Sequence, residues 1–192
     1  IWTAAGPAGV SVGLGAADGH GYLELATPDG NHDVWGTNNG VRAMQSVADG
    51  DLQLMARFLT TPSAKFQLQG FLFEQDADTW IRLDTYFDGV NLRAFGAVTQ
   101  GGVSSARFNV VVPGASAPWL RATREDDDWT LEYSTDGESW TMAGGFTKSL
   151  QLGAAGLFSG NTGPAAGYTA RVDYFESASD PLVNEDGDVT PV

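Results

Sequence analysis

The stretch QLQGFLFEQDADTWIRLDTYFDGVNLRAF, residues 67–95, decides the fold. Three runs in which apolar and polar residues alternate are separated by two clusters of turn residues, DADT at 76–79 and Asp88-Gly89. A period of two is that of a strand with one buried face, and nothing in the stretch repeats at the 3.6-residue spacing of a helix. A four-residue turn at Asp76–Thr79 predicts that Gln75 faces Trp80, Phe73 faces Arg82, Phe71 faces Asp84 and Gln69 faces Tyr86. A two-residue turn at Asp88-Gly89 predicts that Tyr86 faces Asn91, Asp84 faces Arg93 and Arg82 faces Phe95. One face of the three-strand unit then collects Leu68, Leu72, Ile81, Leu83, Phe87, Val90, Leu92 and Ala94, an apolar set expected in a core. The other collects Gln67, Gln69, Phe71, Phe73, Trp80, Arg82, Asp84, Tyr86, Asn91, Arg93 and Phe95. A slip of one residue in either turn would exchange the faces.

Outward from this unit the pattern continues. Further strands are expected at Gly21–Ala26, Asp51–Leu59, Ala106–Val112, Trp119–Arg124, Trp129–Ser134, Trp140–Ala143 and Thr169–Glu176, with turns supplied by the 25 glycines. About ten short strands predict an all-β fold of two antiparallel sheets, a sandwich or jelly roll, because one open sheet of that size would leave a long face bare. The 192 residues suit one domain over 1–177, followed by an acidic linker or tail over 178–192, ASDPLVNEDGDVTPV.

Composition narrows the chemistry. The formal charge of −14 repels phosphate backbones and anionic lipid, so nucleic acid and acidic membranes are not expected partners. Cys is absent, which excludes disulfides, thiolate metal sites and a Cys nucleophile. No apolar run approaches the roughly 20 residues that span a bilayer, so no membrane insertion is expected. The start IWTAAGPAG lacks the pattern of a signal peptide, and the chain reads as a monomeric module of a larger protein. Only two lysines, with an acidic surface, suit a secreted, extracellular or cell-surface setting in which salt screens self-repulsion.

The polar face is the candidate site. Aromatic rings stack on the C–H faces of a sugar ring, while Asp, Asn, Gln and Arg hydrogen-bond its hydroxyls. Gln69, Trp80, Arg82, Asp84, Tyr86, Asn91 and Arg93 are therefore candidate ligand-binding residues. The alternative is that Asp84–Arg93 is only a cross-strand ion pair and that the aromatics lie under a loop. His32, Asp33 and Trp35 in GNHDVW join the candidates, since an imidazole beside a carboxylate can bind a ligand, act as a base or anchor a loop. No GxSxG or HExxH accompanies His32. Calcium is the expected ion if there is one, because only hard oxygen ligands are on offer, with Asp29, Asn31, Asp76 and Asp78 as candidates. None of them has EF-hand spacing. Glu125–Asp128 is expected to be a solvated hairpin tip.

The succession GPAG (6–9), YLELATPDGNHDVW (22–35), VRAMQSVADGDLQL (41–54), FQLQGFLFEQDADTWIRLDTYFDG (66–89), LRATREDDDWTLEYSTDGESWTMAG (120–144) and YTARVDYFES (168–177) resembles the concanavalin A-like, laminin-G-like sandwich domains of secreted bacterial multidomain proteins. Similar domains accompany glycoside hydrolases and calcium-dependent RTX adhesins. The resemblance implies a jelly roll with one concave sheet and sugar binding. It also implies that His32, Asp33, Trp35, Arg42 and Gln45 lie near one another, with Gln69, Glu74 and Asp76 on the neighbouring strand. The chain lacks the E-x-D-x-x-E cluster of the laminarinase-like enzymes that share this fold.

Three functions follow as expectations. The leading one is a non-catalytic, lectin-like module that binds a polysaccharide or cell-surface glycan on the concave face. The second is a spacer or protein-interaction domain of a calcium-dependent cell-adhesion protein. The third is a glycan hydrolase or lyase that uses Glu74 with Asp76 or Asp84.

Overall fold

The computed structural model describes residues 2–8, 11–17 and 20–178. Its strands are β1 (Thr3–Ala5), β2 (Ser11–Ala17), β3 (His20–Thr27), β4 (Val41–Ser46), β5 (Leu52–Phe58), β6 (Gln67–Asp76) and β7 (Thr79–Phe87), followed by β8 (Leu92–Gln100), β9 (Val103–Val111), β10 (Trp119–Glu125), β11 (Asp128–Ser134), β12 (Thr141–Thr147), β13 (Ala154–Asn161) and β14 (Tyr168–Ser177). They form two seven-stranded antiparallel sheets, ordered β1-β4-β13-β6-β7-β8-β9 and β12-β11-β10-β5-β14-β3-β2. This is the two-sheet sandwich that the alternating pattern predicts. The expected tail over 178–192 lies, apart from Ala178, outside the described residues.

The core lies between the sheets. Phe71, Phe73, Ile81, Leu83, Leu92 and Leu157 from one sheet meet Leu25, Phe58, Leu120, Trp129 and Leu131 from the other. Trp129 packs at 4.9 Å on Phe73, and its indole N–H donates to Lys148 O at 2.9 Å, so the buried ring leaves no orphan donor. Lining the interior with Val, Leu, Ile and aromatic side chains at every second position is what fixes which way each strand faces.

Two predicted registers are corrected. The β6–β7 ladder starts at Asp76↔Thr79, but a bulge at Gln75 shifts it, so Glu74 pairs with Trp80, Phe73 with Ile81, Leu72 with Arg82, Gly70 with Asp84 and Leu68 with Tyr86. One extra residue on the bulged strand turns the rest of β6 over. Phe71, Phe73 and Gln69 therefore face the interior, while Leu68 and Leu72 share the outward face with Trp80 and Arg82. The second turn holds four residues, Asp88–Asn91, not two. Phe87 pairs with Leu92, Tyr86 with Arg93, and Asp84 with Phe95. Asp88 Oδ1 accepts from Val90 N and Asn91 N at 2.8 and 2.7 Å, an Asx cap that holds the wider loop. This displaces the pairing by two residues, so β7 and β8 still share faces as expected. Val90, assigned to the core, is exposed at the loop tip.

Candidate functional site

Residues 28–40 cross the outward face of the first sheet and are pinned there by their backbone. His32 N donates to Asn161 O at 2.9 Å, Gly30 N to Ala165 O at 3.1 Å, and Asn39 N to Asp33 O at 2.9 Å. Gly40 and Gly160 make room for this crossing, because a Cβ at Gly160 would lie 2.5 Å from His32 O and one at Gly40 would lie 2.9 Å from Val34 Cγ1. Val34 is thereby pressed into a second apolar cluster with Met44, Leu68, Leu72, Trp80 and Phe158. Trp80 is 1% exposed, and its indole N–H donates to Val34 O at 3.2 Å. The aromatic at the middle of the predicted polar face thus lies under a loop.

Beside the loop the face stays open. Asp33, Trp35, Phe66, Leu68, Arg82, Tyr86, Phe95 and Thr162 line a dish of about 180 Å³. Its rings lie against one another. Tyr86 meets Phe95 edge-on at 5.6 Å, Phe66 stacks near Tyr86 at 6.4 Å, and Trp35 tilts toward Phe95 at 6.3 Å. Trp35 is 45% exposed and Phe66 38%. Phe66 holds its backbone at φ 65°, the left-handed region that a bulky side chain rarely enters. Such strain persists only where the surroundings impose it, and here it presents an apolar ring to solvent at the dish rim.

The floor is charged. Arg82 stacks over Phe95 at 4.9 Å and sends Nε and Nη2 to Asp84 Oδ2 at 2.6 Å and Nη1 to Asp33 Oδ1 at 3.2 Å. Asp33 Oδ1 also accepts from Val34 N at 2.7 Å, which ties loop and floor together. Burial pushes the Asp84 carboxyl up to about 6, against the pull of the Arg82 charge. Burial also works against the guanidinium charge, but Asp84 and Asp33 more than offset it and hold Arg82 ionised.

The structure brings together Asp33, Trp35, Arg82, Asp84 and Tyr86 of the predicted ligand set. Arg93 stands at the edge, with Nε on Asn109 Oδ1 at 2.5 Å and Nη1 on Asp88 Oδ2 at 3.1 Å, while Asn109 Nδ2 donates to Tyr86 Oη at 2.9 Å. Asn91 belongs to the turn. Trp80 is covered, and Gln69 faces the other way, held in the interior by Tyr168 Oη and by Thr60, whose carbonyl takes the Gln69 Nε2 proton at 2.7 Å. His32 anchors the loop and does not line the dish. Asp84 pairs with Arg82 on its own strand, not with Arg93 across the ladder. Phe66, Leu68, Phe95 and Thr162 complete the dish; Phe95 lies on the expected face, Leu68 was expected in the core, and nothing in the sequence marked Phe66 or Thr162 as part of a site.

Arg42 and Glu74 meet elsewhere on this face, in a polar cleft of about 600 Å³ where Glu74 Oε1 accepts from Asn38 Nδ2 at 2.6 Å. Gln45 lines a third opening of about 770 Å³ between the sheets, walled mostly by apolar side chains such as Trp2, Leu23 and Phe175. Of the candidate calcium ligands, Asp29 Oδ1 accepts from Gly167 N at 2.6 Å, Asn31 Oδ1 from Gly163 N at 3.1 Å, and Asp76 Oδ1 from Asp78 N at 2.8 Å. Among the described residues, no three His, Asp or Glu side chains gather as a metal set.

Solved structures share the sandwich. A functionally unknown protein from Saccharomyces cerevisiae superposes with a TM-score of 0.70 at 14% identity, over 95% of this chain and 96% of its own. The Bacteroides ovatus xyloglucan protein GH43B matches with a TM-score of 0.66 at 16% identity, over 84% of this chain but only 33% of that one. The CBM2 module of the evolved Dit of Lactobacillus casei BL23 phage J-1 matches with a TM-score of 0.57 at 12% identity, over 89% and 90%. At these identities the likeness is one of fold. No curated protein matches the chain. A family model does, over residues 27–175, which hold both sheets' central strands and the whole dish, and on that match the chain belongs to DUF1349, a family of proteins of unknown function.

Proposed function

We propose that the chain is a non-catalytic carbohydrate-binding module and that the dish between residues 28–40 and strands β6–β8 is its site. The observation that carries this reading is the dish itself: four aromatic rings, two of them open to solvent, around a guanidinium clamped by two carboxylates. Rings of this kind offer flat apolar faces to sugar C–H groups, and the clamped polar groups offer fixed hydrogen-bond directions to hydroxyls.

Binding without hydrolysis is supported by the carboxylates. Asp84 is wholly buried and tied, with Asp33, to the Arg82 guanidinium, and Asp76 caps its own turn through Asp78 N, while Glu74 lies four positions along the ladder from the residue opposite Asp84, about 13 Å at strand spacing. A retaining hydrolase needs its pair at about 5–5.5 Å and an inverting one within about 9.5 Å. Supporting the modular part, the sandwich corresponds to a third of the Bacteroides ovatus GH43B protein and to nearly all of the phage CBM2 module.

A glycan array probed with the purified chain tests the reading. Reproducible hits are expected, lost in Trp35→Ala, whose ring is half exposed and whose removal leaves the core intact. A blank array from folded protein, or hits unchanged in Trp35→Ala, would overturn it.

A further inference from the structure

Resting on that reading, we infer that the dish accepts one uncharged sugar ring, presented as a chain end or side branch, and neither an extended glycan segment nor an acidic sugar. Size is the first ground. At about 180 Å³ the dish lies well under the roughly 300 Å³ at which pockets for larger ligands begin. The second ground is what surrounds it. Along β6 and β7 the face beyond Leu68 and Arg82 is filled by Val34, Leu72, Trp80 and Phe158, so a second ring has no surface to follow in that direction. Toward the other end of the strands, Arg93, Asn109 and Asp88 are already bonded to one another. Only the solvent side is open.

Charge is the third ground. Arg82 is the sole cation among the lining residues, and its Nε, Nη1 and Nη2 are committed to Asp84 and Asp33. One positive charge against two carboxylates leaves no surplus for a uronate, sialate or phosphate, whose desolvation would go uncompensated. Lys65, near the rim, lies 4.9 Å over the Phe66 ring. What remains on offer is hydrogen-bonding capacity without surplus positive charge, since two of the five guanidinium N–H groups are unused among the described residues. Asp33 Oδ2 takes no hydrogen bond among the described residues, and Thr162 adds a hydroxyl, a set that suits neutral sugar hydroxyls.

Calorimetric titration of the chain tests this, using methyl glycosides of glucose, xylose, galactose and mannose, the corresponding oligosaccharides of two to six units, and glucuronic and galacturonic acids. Within whichever series binds, affinity is expected to change less than threefold from one unit to six, the matching uronate is expected to bind at least tenfold more weakly, and Trp35→Ala is expected to abolish the heat. A tenfold or greater rise on adding a second and third unit would overturn the single-ring site, and a uronate binding as tightly as its neutral counterpart would overturn the charge assignment. No heat from any of these sugars with folded protein would overturn the carbohydrate reading itself, and the single-ring site with it.

Discussion

Arg82 and Asp84 stand two residues apart on β7, side by side on the outward face, and both Nε and Nη2 of the guanidinium reach one oxygen, Asp84 Oδ2, at 2.6 Å. The sheet lies on one side of the pair and the rings and residues 28–40 on the other, so that Asp84 is shut off from solvent and only the edge of the Arg82 guanidinium reaches the dish. A charge placed there is held by its neighbours alone, so the floor of the dish responds to pH.

Burial raises Asp84 to about 6 from an ordinary 3.8, so the folded state holds this proton more tightly than the unfolded one. The stability it confers is full below pH 4 and is lost as pH rises through 6. At about 1.4 kcal/mol per pKa unit this amounts to about 3 kcal/mol. Asp84→Asn removes the titration. Denaturant melts at pH 4 and pH 7 should show the wild type losing about that much relative to the variant over the interval. Parallel curves would mean that Asp84 titrates as it does in water.

Trp80→Ala should destabilise by about 3–5 kcal/mol, the usual cost of emptying a large aromatic site. The ring is 1% exposed, and its indole N–H holds Val34 O, so the loop is expected to loosen as well. Urea denaturation is the measurement. The register drawn from turn lengths predicts a different result, lost binding with unchanged stability, and that outcome would restore Trp80 to an open face.

How far residues 67–95 disclose the fold turns on one residue. The alternation requires strands, two faces and a sandwich, and all three are present. The bulge at Gln75 leaves no mark, because a strand with one extra residue still alternates on either side of it, and the turn residues at 76–79 fit a regular hairpin equally well. β13 was hidden for another reason. GLFSG at 156–160 has the glycines of a loop, yet Gly156 and Gly160 are small because Ala43 O and His32 O come close to where their Cβ atoms would be. Asp33 and Trp35 were legible as candidates from residue type alone. Phe66 was not, because nothing in PSAKFQ signals a left-handed aromatic.

Gly160→Ala tests the crossing of residues 28–40. The new Cβ would lie 2.5 Å from His32 O and 2.8 Å from Leu68 Cδ1, and backbone cannot yield as a flexible side chain can. Overpacking of this kind costs about 1–3 kcal/mol. Because Asp33 follows His32 directly and Trp35 lies three positions on, sugar affinity should fall along with stability, and amide exchange at His32 and Val34 should quicken. A variant with normal exchange at both amides would show that the loop is not held by the hydrogen bond to Asn161.

Phe66→Asn separates function from stability most cleanly. A non-glycine residue in the left-handed region is destabilising by about 1–2 kcal/mol, and Asn enters that region more readily than Phe does. Against this gain stands the loss of the Phe66 stack on Tyr86, a contact of a ring that is still 38% exposed. The two effects are comparable, so the variant should melt within about 1 kcal/mol of the wild type, by thermal denaturation at pH 7. Affinity for the bound sugar should nonetheless fall at least tenfold, since one wall of the dish is gone. A variant that is both less stable by more than 2 kcal/mol and unimpaired in binding would make Phe66 a packing residue, and the strain at φ 65° would then serve the fold and not the site.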